Sequence, residues 1–306
     1  MTAEEAQQAR VKTSGIQWWL VASTPLVALF THYLVVLPHE FAHSATAWAL
    51  GAKANPFDIH WGGTSAANVL LLIHIDENVG YDSLFDHGVG WKAALIAAAG
   101  PLIVNGGTWA VSTWLLLRDG SRWHPVTVYV TMWLMVLSMA NVYSYIPLRC
   151  FVSGDISHLD RGIATSPWVF YVVGGYAMLA AMTWVFSRVL PANFSACALT
   201  AASARAVVLV AVVAIVFGYY GVPSLLSDDD VTAFMGRTSV AAIPVVIVLS
   251  WGSVVTPWST LMARRTESRQ NRRCTCPTPI PPLIGRDHSA PTHTIGARRP
   301  CRGTDV

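Results

Sequence analysis

Residues 35–53 read VVLPHEFAHSATAWALGAK, and inside this apolar run stand His39, Glu40 and His43 as H-E-x-x-H. Residues four apart share one face of a helix, so the two imidazoles can converge on one metal ion. Zinc–nitrogen bonds of about 2.0–2.1 Å suit that pairing. Glu40 falls beside them, free to take a proton from a water whose pKa zinc lowers to about 7. Zinc also polarises a carbonyl, so the three residues together carry the chemistry of a metal-dependent peptidase. On a solvated helix the pattern is harmless. Within an apolar segment, two imidazoles and a carboxylate are costly unless they have a partner or a task.

The elements that must position these residues are membrane spans. The chain of 306 residues is 53% hydrophobic and only 12% charged, about half the charged fraction of a soluble domain. Residues 13–38, 93–117, 123–148, 166–187, 206–227 and 238–263 hold no Lys, Arg, Asp or Glu. Each is long enough to cross a hydrocarbon core, which takes about 20 helical residues. A soluble all-helical protein needs charged outer faces that these segments lack. The expected fold is an all-α integral membrane protein of about six transmembrane helices, over residues 16–50, 91–117, 124–147, 168–190, 204–222 and 239–260. Pro38 removes a backbone donor and is expected to kink the first span or begin a new helix. In the connection 51–90, Phe57, Ile59 and Trp61 alternate, which predicts a small β-hairpin-like segment against the membrane face. The short turn RDGSR makes the second and third spans antiparallel neighbours.

A catalytic zinc needs a third protein ligand and an open position for water. If the first span runs from side one to side two, the third returns to side two, where His39 and His43 lie. The sequence there reads NVYSYIPLRCFVSGDISHLDRG. Asp155 is the candidate third ligand, with His158 and Asp160 behind it. Gly154 before it permits a tight turn. The alternative role for Asp155 is N-cap of a short helix, DISHLDRG. Asn105 and Asn141 are amides inside spans and need partners. They bind a substrate backbone, stabilise an oxyanion, or tie helices together. His32 lies about 10 Å along the helix from His39, too far to share its metal. It reads as a packed or pore-facing histidine, and His60, His74 and His87 read as surface residues.

A first core helix with HEFAH, a second with Gly100, Pro101 and Asn105 in GPLIVN, and a third with Asn141 and Pro147 leading to Gly154-Asp155 resemble the site-2 protease family of intramembrane zinc metalloproteases. The resemblance covers about residues 16–160. In the family the third motif runs Asn, Pro, then Asp-Gly; here the order is Gly154-Asp155, eight residues beyond Pro147. The resemblance implies zinc held by His39, His43 and Asp155, with Glu40 as general base. It also implies cleavage of a substrate's transmembrane helix near one membrane face, and a membrane-associated β segment after the first span.

The organisation expected is an N-terminal segment (1–15), a three-helix catalytic core (16–165) that includes the membrane-associated segment 51–90, accessory transmembrane helices (166–262) and a basic, Pro/Arg-rich disordered tail (263–306). That tail holds nine arginines against three acids. It reads as a membrane-flanking basic segment, so no nucleic acid is expected. The five cysteines imply no disulfide scaffold. The expected partners are a transmembrane protein substrate and the lipid bilayer, in a multi-pass protein of the cell membrane. The competing reading is a catalytically inactive, non-enzymatic membrane protein of the same fold that binds metal or partner helices.

Overall fold

A computed structural model describes residues 3–256. The basic tail, with Cys274, Cys276 and Cys301, lies outside the described residues. Nine helices form among the described residues: α1 (Ala3–Ala49), α2 (Ala66–Leu71), α3 (Tyr81–Asp86), α4 (Gly90–Arg122), α5 (Pro125–Leu148), α6 (Asp155–Gly162), α7 (Pro167–Ala196), α8 (Ala202–Leu225) and α9 (Asp230–Val254). Six of them, α1, α4, α5, α7, α8 and α9, are long and apolar enough to cross a membrane. The chain is thus all-helical with six candidate spans, the architecture of a multi-pass membrane protein.

Local chemistry sets the helix ends. Pro125 opens α5 at a position where no amide hydrogen is needed, and His124 Nδ1 accepts from Val126 N. Asp229 caps α9 by accepting from Thr232 N at 2.7 Å. Pro38 does not end α1: the helix continues through both Pro25 and Pro38. Both prolines are exposed, and the helical turns on either side of each continue.

The innermost helix is α5. Tyr129, Met132, Trp133, Met135, Val136 and Met139 are fully buried on it, so the remaining spans wrap around its whole circumference. A helix apolar all round is a helix buried all round. The Thr24 and Tyr129 hydroxyls meet at 2.7 Å, tying α1 to α5. The antiparallel neighbours α4 and α5 pack along their length, and α6 lies against the start of α4.

The connection 51–90 departs from the expected hairpin. No strand forms among the described residues. The alternation at Phe57, Ile59 and Trp61 yields one antiparallel bridge, His60 to Asp76, closed by two backbone hydrogen bonds of 2.9 Å. The chain between them makes the short helix α2, so no ladder can propagate. Asn68 holds this loop shut by donating to the carbonyls of Trp61 and Gly63 and accepting from His74 N. The loop folds back along α1. His32 Nε2 donates to Leu71 O at 2.9 Å, and the Tyr33 hydroxyl donates to Val69 O. These two side chains satisfy carbonyls at the C-terminal end of α2 that have no intrahelical partner. His32 therefore has a packing task, as its distance from His39 implied.

Candidate metal centre

His39 and His43 lie one turn apart on α1, and both are buried. Asp155 reaches them from the first turn of α6. Gly154 precedes it with φ +152°, a conformation that favours glycine. Gly154 N donates to Ser157 Oγ, which donates back to Gly154 O. The N-cap is thus Gly154, not Asp155. Relieved of capping, the Asp155 carboxylate faces the two imidazoles.

The three side chains converge. His39 Nε2 lies 3.1 Å from His43 Nε2, and Asp155 Oδ2 lies 3.2 Å from the first and 3.3 Å from the second. These atoms form a nearly equilateral triangle. Four ligands at zinc–nitrogen distances, placed tetrahedrally, stand about 3.3 Å apart. The triangle therefore has the dimensions of three corners of such a site.

The protonation pattern also fits a cation. His43 Nδ1 donates to Ile96 O at 2.6 Å, which turns Nε2 towards the carboxylate, where it carries a proton in the metal-free protein and would give its lone pair to a metal. Two lone pairs cannot face each other at that range without a proton or a metal between them. On His39, the amide of Asn105 lies 2.8 Å from Nδ1. A ring that gives Nε2 to a metal carries its proton on Nδ1 and needs an acceptor there. Asn105 Nδ2 is the atom there, shared with Asn141 Oδ1; with both amides turned over, Asn105 Oδ1, otherwise buried without a partner, would accept that proton. Burial by itself raises the Asp155 carboxyl pKa, but the His43 and His39 imidazoles outweigh it and hold the group well below the usual carboxylate range. His39, His43 and Asp155 thus form a buried group able to hold a metal ion.

Glu40 is 9% exposed. Glu77, His43, Asp155 and Asp76 are the charged groups near it. Asn141 accepts from Asn105 Nδ2, so both amides stand on the Nδ1 side of His39. His158 does not join the ligands. Its ring stacks on Tyr81 with centroids 4.0 Å apart and planes 7° apart. Among the described residues, His60, His74, His87 and Asp160 also remain outside the group.

Three more residues shape the site; Gly100 belongs to the GPLIVN motif of the resemblance, whereas Tyr145 and Glu77 carry no sequence signal that reads as a site. Gly100 lies where a Cβ would press on His43 Nε2 and stand 2.7 Å from His39 Nε2. It belongs to a π-helical stretch of α4, Ala99–Asn105, and such bulges recur at functional sites. Tyr145 stacks on His39 at 5.3 Å and 16°. Glu77, from the 51–90 connection, is buried although its neighbours Asp76 and Asn78 are exposed. The chain matches no family model, no curated protein and no solved structure.

Proposed function

We propose that this protein is an intramembrane zinc-dependent endopeptidase, similar to the site-2 proteases, that hydrolyses peptide bonds in the transmembrane segments of other membrane proteins. The observation that carries the reading is the triangle of His39 Nε2, His43 Nε2 and Asp155 Oδ2, with edges of 3.1–3.3 Å. Glu40 beside it supports a hydrolytic task rather than a purely structural one. All four residues lie on, or next to, helices apolar enough to span a bilayer.

A zinc ion held by His39, His43 and Asp155 would supply a Lewis acid able to polarise a peptide carbonyl and to bring the pKa of water to about 7. Glu40 accepts the proton that water loses as its oxygen attacks the carbonyl carbon and the carbonyl π pair moves to oxygen. Glu40 then returns that proton to the amide nitrogen as the C–N bond breaks, leaving a carboxylic acid and an amine. His43, locked by Ile96 O, and His39, backed by Asn105, keep their Nε2 atoms in register throughout. Leu26, Phe30 and Leu34 of α1 are exposed, which leaves an approach for a second helix.

The test is Glu40→Gln in the full chain, purified in detergent with its zinc. Metal content should remain at one ion per chain, and cleavage of a transmembrane peptide should fall by about 10²–10⁴-fold. Undiminished cleavage by Glu40→Gln overturns the mechanism. A wild type that holds zinc and cleaves no membrane substrate returns the protein to the non-enzymatic reading.

A further inference from the structure

One face of α5 addresses both nitrogens of a single imidazole. Asn141 acts through Asn105 on Nδ1 of His39, and Tyr145, one turn later, places its hydroxyl 3.3 Å from Nε2 of the same ring. Two neighbours contact the Tyr145 ring. It stacks on His39, and the Arg149 guanidinium lies over it, 5.6 Å from its centroid. Just beyond Tyr145 α5 kinks, because Ile146 is extended (φ −130°, ψ 111°). The phenol is thus fixed in direction at the margin of the donor triangle.

The hydroxyl stands beside the nitrogen that would bind the metal. With His39 Nε2 committed to a cation, that nitrogen offers the Tyr145 hydrogen no acceptor. A half-buried donor left without a partner costs free energy until something accepts from it. The group that acquires an accepting charge at this place is the oxygen of a peptide carbonyl under attack. Asn105 and Asn141 are on the opposite edge of the His39 ring and are engaged with it and with each other.

Resting on the peptidase reading above, we propose that Tyr145 is a catalytic residue, whose hydroxyl donates a hydrogen bond to the substrate carbonyl oxygen as that oxygen gains negative charge. Preorganised donors of this kind accelerate hydrolysis because their bond strengthens only as charge develops. Tyr145 breaks no bond and transfers no proton. Asn105 and Asn141 are positioning residues that orient His39.

The experiment compares wild type, Glu40→Gln and Tyr145→Phe as full chains in detergent. Three quantities are read: zinc content, kcat and KM on a transmembrane peptide, and affinity for a peptidyl phosphonate followed by the visible spectrum of the cobalt-substituted protein. The expected result for Tyr145→Phe is full zinc occupancy, kcat lower by about 10²–10³-fold, KM little changed, and phosphonate affinity weakened by at least about 10-fold. Retained kcat and phosphonate affinity overturn the proposal while leaving the peptidase reading intact. Loss of zinc from Tyr145→Phe also overturns it, because Tyr145 then serves the metal and not the substrate. Full cleavage by Glu40→Gln overturns the peptidase reading and this proposal with it.

Discussion

His39 Nε2 and Asp155 Oδ2 lie 3.2 Å apart across 116 residues of chain. Four helices, α2 to α5, intervene between them, two of them spans, and the contact exists only because α6 folds back onto α4 beside the end of α1. The opposed charges of carboxylate and metal would reward this closure. Each ligand alone is a poor site.

Removing any corner of the triangle should therefore remove the metal. His39→Ala, His43→Ala and Asp155→Ala are each expected to fall from one zinc per chain to well below a tenth. Elemental analysis of the purified proteins checks this. Asp155→Ala with undiminished zinc would place the third ligand elsewhere.

Gly100 has no room for a side chain. A methyl group there presses on both Nε2 atoms, so Gly100→Ala should weaken metal affinity by about 100-fold while α4 still inserts. Competition with a chelator of known affinity measures the first, and protease protection in membranes the second. The substitution adds one carbon to an apolar helix, so a loss specific to the metal is diagnostic.

The depressed Asp155 pKa sets a pH dependence. A group whose pKa is lowered by folding adds stability above its ordinary value and gives it back as pH falls through its folded value. For Asp155 the ordinary value is 3.8, and the folded value lies well below it. Below about pH 6, where the neighbouring imidazoles are protonated, wild type should thus exceed metal-free Asp155→Asn in thermal midpoint by a constant margin down to about pH 4, and the margin should shrink in stronger acid. Thermal unfolding of metal-free protein across this range checks the sign. A margin that grows on acidification would contradict it.

The loop that carries α2 should lie within lipid. It is fastened to His32 and Tyr33, midway along α1 between exposed Trp18 and exposed Trp48, the residue type that marks membrane interfaces. Val69, Leu70 and Ile73 face outward, each at least half exposed. A fluorophore on Leu70→Cys should be quenched more by spin labels deep in the acyl chains than by labels at the headgroup. His32→Ala should loosen the loop and reverse that order.

Much of this protein is legible in its sequence because bilayer chemistry is severe. Charge-free stretches of about 20 residues have few other uses, and the six spans fall close to the expected positions. His39 and His43 are legible for a local reason: a spacing of four fixes their shared face whatever surrounds the helix. The 51–90 connection was misleading because alternation at three residues is satisfied by a single bridge. Strand pairing needs a partner strand, and α2 occupies its place.

Amino-acid order by itself determined the spans, the paired imidazoles with Glu40 beside them, and the region holding a third ligand. Each rests on local periodicity or on the cost of charge in hydrocarbon. Only tertiary structure decided that Asp155 meets His39 and His43 while His158 turns away to Tyr81, that Gly100 makes the space, and that Tyr145 reaches the ring. Those outcomes depend on distances between helices, which are set by how side chains from separate spans pack, and no spacing along the chain encodes them.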